Sequence, residues 1–294
     1  MKLQGLDKFQ SVLINVVSAA DDYSKRADAI IYRHRDEKLM SELKNRTKYG
    51  AELLSGAQSY MQSGFNSFQS LRLLVLPGGI NLQDGQGSVN VNFTINGMAS
   101  LLRQSIECLV RAEWLFKSAS NKEIDERGFA VLWSNAQSRL KYERSLKSPL
   151  QESFITEVAG LRQAGIDLGF FNITKESLGT YAKNPRVEIA DATGLLRNVK
   201  TPTNFPSQLL VDRGSGFSNA EWVYVWLSGL AHGMHWAHKL PPTPADVESE
   251  VFQRVPDYER FAIASLYVLQ LGQNIFQLAE NEFAETHSLR QTLN

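Results

Sequence analysis

Apolar residues recur at helical spacing along most of this chain. Between Leu3 and Arg35 they stand at Leu6, Phe9, Leu13, Val16, Val17 and Ala20, and the segment closes in the charged run RHRDEK. A second stripe, Leu54, Ala57, Met61, Phe68, Leu71 and Val75, keeps the period of about 3.6 residues until Pro77 and Gly78-Gly79 stop it. Paired antiparallel, the two would make a long helical hairpin over 1–76. Residues 77–97 hold five glycines and the alternating run Val89, Val91, Phe93, Ile95, which predicts a loop with a short β-hairpin near 88–96.

The helical pattern resumes over Met98–Lys117, Lys122–Lys147 and Leu150–Gly165. A second irregular region, 169–216, carries Pro185, Pro202 and Pro206, with room for short helices at 174–181 and 190–197. Ser218 and Glu221 have capping-box spacing, each side chain placed to satisfy the other's free backbone donor, so a helix is expected from there to about His238. Pro241, Pro242 and Pro244 impose an extended connector, and Pro256 precedes a last helix from about Asp257 to Glu285. The expected fold is all-α: one domain over 1–294, a multi-helix bundle in which the hairpin 1–76 packs on a helical core at 98–285, with two irregular loop regions.

Length and composition agree with that reading, since 294 residues at 43% hydrophobic content suffice for a large core. Thirty-one basic residues balance 31 acidic ones, so no net field favours nucleic acid or an anionic membrane. A single cysteine, Cys108, excludes a disulfide framework and any multi-thiolate metal site within one chain. Met1–Leu13 has no export-signal pattern, and a cytoplasmic location is expected. Two stretches lack charge, Trp222–His238 and Phe261–Ala279. The first is short and holds three histidines, the second carries Gln270, Gln273, Asn274 and Gln277, and both read as buried helices rather than membrane spans.

Candidate chemistry concentrates in two segments. Wound at about 100° per residue, EWVYVWLSGLAHGMHWAH at 221–238 gathers Glu221, Tyr224, Ser228, His232 and His235 into one sector of about 80°, with apolar residues over most of the remainder. Such a stripe either lines a pocket, with His232 and His235 titrating near neutral pH, or is a set of core polar groups satisfied by neighbours. His238 points away from the other two histidines, so no metal site is expected, and no cofactor. In LLRQSIECLVRAEWLF at 101–116, Arg103, Glu107 and Arg111 stand at i, i+4, i+8, the spacing of a salt-bridged stripe. Glu113 projects into the apolar sector between Leu102 and Ile106, where a carboxylate needs a partner. The chain has no phosphate-binding Gly-Lys loop, no G-x-G-x-x-G, no G-x-S-x-G and no H-E-x-x-H.

Arg103, Glu107, Trp114-Leu115 and Glu126-Arg127, followed late in the chain by Tyr224, Ser228 and His232-Gly233, resemble the pattern of a group of bacterial, chiefly actinobacterial, helical proteins of unknown function. The late motif is also similar to that of helical proteins distantly akin to the HEPN superfamily, which includes ribonucleases of toxin and phage-defence systems. That resemblance implies an all-α fold and a divergent nuclease or defence-related protein using His232 with Ser228, Tyr224 and Glu107 or Arg103. The HEPN arginine, separated from the histidine by four to six intervening residues, is absent, because Val225, Trp226 and Leu227 occupy those positions. Read from the residues alone, the first expectation is a regulatory, ligand-binding or protein-interaction domain. Its partner is a small ligand, another protein, or a second copy paired through the long helices.

Overall fold

The computed structural model describes residues 8–34, 47–78, 80–83, 86–89, 92–118, 120–171, 190–199, 220–232, 234 and 258–292. The predicted helix at 174–181, His235, His238 and the connector 241–257 lie outside them. Among the described residues the fold is all-α with one short hairpin. Helix α1 (Lys8–Ser18) and α2 (Ala20–His34) are followed by α3 (Gly50–Val75), strands β1 (Ile80–Gln83) and β2 (Gln86–Val89), then α4 (Ile95–Phe116), α5 (Asn121–Leu146) and α6 (Gln151–Asp167). Short α7 (Ala192–Leu196), α8 (Glu221–Ala231) and long α9 (Tyr258–Thr292) complete the order.

Three local differences from the sequence reading have physical causes. The first helix is interrupted at Ala19, where the Ser18 hydroxyl donates to the Ile14 carbonyl and Ala19 N–H turns to Val16, three residues back. The β-pairing lies upstream of the alternating run: Ile80 pairs with Val89 and Gln83 with Gln86, which leaves Asp84-Gly85, a favoured two-residue hairpin sequence, between the strands. Phe93, expected in a strand, packs its ring edge-on against Tyr258 at 4.6 Å, and Ile95 opens α4. Helix α8 begins on Ala220 with no side-chain cap, and Glu221 instead binds Arg197 beyond α7 at 2.9 Å.

The chain divides into two compact units. The first comprises Met1–Ile31, Tyr60–Glu113 and Asp191–Asn294, the second Tyr32–Ser59 and Trp114–Ala190. In the first, α1 lies along α9, and α2 is tied to α3 by Asp21, which accepts from Gln69 and pairs with Arg72 at 3.3 Å. Its centre is aromatic: Phe65 stacks on Phe276 with centroids 5.3 Å apart, and the Tyr23 ring tilts against both. Gly272 of α9 permits this approach, because a Cβ there would meet the Tyr23 ring at 2.8 Å.

In the second unit, α5 starts with Ser120 accepting the Glu123 N–H, a side-chain cap. Asp125 accepts the N–H of Tyr49 at 2.7 Å, and Gly128 lets α5 run against the Tyr49 backbone. Tyr49, Phe129, Trp133, Phe170 and Phe171 then form one aromatic core. Helix α6 returns antiparallel to α5, as two contacts show: the Arg139 guanidinium lies 4.1 Å from the Phe154 ring centroid, and Gly165 abuts Phe129. The turn between them passes through Lys147 in the left-handed conformation (φ 52°), whose N–H caps the end of α5.

Candidate functional site

The i, i+4, i+8 row on α4 and the tyrosine of α8 meet in the first unit. Glu107 lies at the centre. Arg111 Nη1 is 3.0 Å from its Oε1, Arg103 Nη2 is 3.6 Å from its Oε2, and the Tyr224 hydroxyl donates to Oε2 at 2.9 Å. Both arginines also face rings, Arg103 towards Tyr224 at 5.8 Å and Arg111 towards Tyr60 at 5.7 Å. The Tyr224 hydroxyl hydrogen-bonds the carboxylate and both arginines pair with it, Arg103 at ion-pair distance only, so the group carries one net positive charge. Burial, and then the hydrogen bond to Glu107, hold the Tyr224 phenol above its ordinary value; burial does the same for Tyr60. The neighbouring Cys108 thiol is pushed up to about 11 by burial and by Glu107, which makes it a poor nucleophile.

Of the five residues singled out as a catalytic set, the structure joins Arg103, Glu107 and Tyr224. Ser228 and His232 lie further along α8, and among the described residues no hydrogen bond or ion pair links either side chain to that trio. The helix expected to run to about His238 ends at Ala231. His232 N–H bonds the Ser228 carbonyl, Met234 N–H reaches back to Gly229 at 2.8 Å, and Met234 itself is outside the helix. His232 is exposed at this helix end. Nor is α8 enclosed on all its apolar sides, since Val225 is 44% exposed. Among the described residues, no three His, Cys, Asp or Glu side chains are grouped to hold a metal ion.

Glu113 has the partner its position demanded. It is 4% exposed, and Asn274 of α9 donates to its Oε1 at 3.0 Å. The charge-free run of α9 thus supplies a half-buried amide to a core carboxylate. Among the described residues, no helix is long and apolar enough to cross a membrane.

The trio predicts a measurable role in stability. Replacing Tyr224 by phenylalanine should lower unfolding free energy by about 1 kcal/mol in urea titrations, the ordinary worth of one hydrogen bond whose acceptor keeps other donors. The phenol's folded value is raised above the unfolded 10.0, so its contribution is whole below pH 10 and is lost as pH rises through the folded value. The phenylalanine protein should accordingly lose stability less steeply above pH 10. Equal slopes for both proteins would show that the folded protein does not raise the Tyr224 phenol.

A different feature is concave. In the second unit, α5 and α6 flank a groove of about 600 Å³, within the range of about 300–1,000 Å³ usual for ligand sites. Its walls are Trp133, Gln137, Leu140 and Arg144 on α5, and Ile155, Val158, Ala159, Arg162, Gln163 and Ile166 on α6. Apart from two glutamines, its polar members are both arginines, and no acidic side chain lines it. This groove went unremarked in the sequence pattern; Trp133 belongs both to the aromatic core and to the groove wall. The signal was the spacing 133, 137, 140, 144, a seam of alternating four- and three-residue steps that ends in a charge. No family model, curated protein or solved structure matches this chain.

Proposed function

We propose that this chain is a helical binding domain whose ligand site is the α5/α6 groove. The observation that carries the reading is the groove itself, with an apolar floor, arginines as its charged members and a volume suited to a ligand. The chemistry of the first unit supports a structural role for the Arg103–Glu107–Tyr224 group, since Glu107 is held between two arginines of its own helix and the Tyr224 hydroxyl. On this reading Tyr224 of α8 is a structural partner of Glu107 rather than a catalytic group.

Anilinonaphthalene sulfonate, an aromatic anion, tests this directly. Saturable binding by the folded protein is expected, with Kd on the order of 10 µM and energy transfer from Trp133. Ala159 is a small, exposed wall residue, so Ala159→Trp fills the groove without disturbing the core and should weaken the dye at least about tenfold. Dye affinity unchanged by that substitution, or no saturable binding, overturns the reading.

A further inference from the structure

We propose that the turn between α5 and α6 is a docking tip for an anionic lipid surface, entering the headgroup layer with three apolar side chains set among basic ones. The turn is firmly built. Lys147, in the left-handed conformation, donates its N–H to the Arg144 carbonyl, and Ser148 N–H reaches back to Glu143, the paired bonds that close a helix end. Leu150 N–H then bonds the Ser148 hydroxyl, and Phe154 N–H the Leu150 carbonyl, so α6 starts at once. On this fixed turn Tyr142 is 60% exposed, Leu146 58% and Leu150 54%, three of the eight large apolar side chains that stand exposed among the described residues. Tyr142 and Leu146 are one helical turn apart on the same side of α5. Single exposed leucines are ordinary on a protein surface, whereas a cluster of this kind marks a contact site.

Charge and exposure choose the occupant. Lys141, Arg144 and Lys147 stand exposed around the patch, and among the described residues none of them has an acidic partner. With Arg139 they set four basic groups against Glu143 and Glu152 over residues 139–152, in a chain whose total charge is balanced. The excess is therefore local and does not show in the totals. Exposure also continues all round the end of α5: from Lys141 to Leu150 every residue is exposed except Glu143 and Ser148, which are half-buried. A groove or flat face of another protein would cover one side of such a turn. A lipid interface yields around every side, takes up leucine and tyrosine at headgroup depth, and holds lysine and arginine against its anionic headgroups. No helix has to cross the bilayer for this, because the tip lies in its surface.

Co-sedimentation of the full-length protein with lipid vesicles provides the test. Phosphatidylcholine vesicles containing roughly one third phosphatidylserine are expected to bind it at least about tenfold more tightly than phosphatidylcholine alone. The difference should shrink as salt rises from about 0.1 M to about 1 M, where the screening length falls from about 10 Å to about 3 Å. Tyr142→Ser combined with Leu146→Ser should weaken binding at least about fivefold, and Lys141→Glu combined with Lys147→Glu should remove the preference for the anionic lipid. All four side chains are exposed, so both variants should keep the urea midpoint of the parent protein. Leu146→Ser alone, with a smaller loss of the same sign, tests the point should the first double variant not fold. No binding to either vesicle, equal binding to the two lipids, or binding indifferent to both double variants overturns the proposal. So does a concentration-dependent dimer that Leu146→Ser returns to monomer while vesicles stay unbound, since the patch would then belong to a second copy. None of the four residues lines the α5/α6 groove, so the dye result stands or falls separately.

Discussion

Gly128→Ala is expected to destabilise the protein by about 3 kcal/mol or more, the upper range for overpacking, with a matching fall in urea midpoint. A Cβ at Gly128 would fall on the carbonyl oxygen of Tyr49, inside any nonbonded carbon–oxygen distance, and within 2.8 Å of the Tyr49 Cβ. Tyr49 cannot simply retreat. Its N–H is held by Asp125 at 2.7 Å, its carbonyl accepts the first turn of α3 from Leu53, and its ring packs edge-on against Phe129 at 5.4 Å. A methyl group at position 128 therefore has to move a backbone segment fixed at three points. Gly160 provides the control. It lies exposed in the middle of α6 with nothing within 4 Å of an added Cβ, so Gly160→Ala should stabilise by about 0.5–1 kcal/mol through helix propensity alone. If both substitutions stabilise, α5 does not run against Tyr49 as described.

The second large effect is Phe65→Ala, expected to cost about 3–5 kcal/mol. Phe65 is 1% exposed in α3 and faces Tyr23 of α2 and Phe276 of α9, so one ring joins three helices. Truncation removes the apolar transfer energy and two ring contacts, and leaves a void whose walls belong to three helices that cannot all close on it. Phe65→Leu, which keeps most of the volume, should cost less than half as much. Urea titration with circular dichroism separates the cases, and a loss below about 1 kcal/mol for the alanine protein would mean that this cluster collapses without cost. Neither substitution touches the α5/α6 groove, so stability and dye binding can be scored independently.

These positions illustrate how far pattern alone reached. Helices α3, α4, α5 and α6 and the start of α9 were legible within a few residues, because each carries a long apolar stripe, and burial of such a stripe is what makes a helix stable in water; α9 runs seven residues past the expected Glu285. The pairing of Glu107 with Arg103 and Arg111 was legible for the same reason, since i, i+4 neighbours meet on any helix. The need of Glu113 for a partner could be read from the wheel, but not that Asn274 would supply it from 161 residues away. The end of α8 had a sequence signal, Gly233 directly after the cap residue, a common helix-stop position, and the Met234 N–H bond to the Gly229 carbonyl is the bond such an end makes.

The sequence by itself thus determined the all-α class, the main helices and the local ion pairs, all of which depend on residues within a turn or two of each other. Tertiary structure alone decided that Tyr224 reaches Glu107, that Gly128 is a close contact with Tyr49, and that α5 and α6 leave a groove lined by two arginines. Each of those depends on which helix faces which, set by packing between residues far apart in the chain, and periodicity within one helix carries no information about its neighbour.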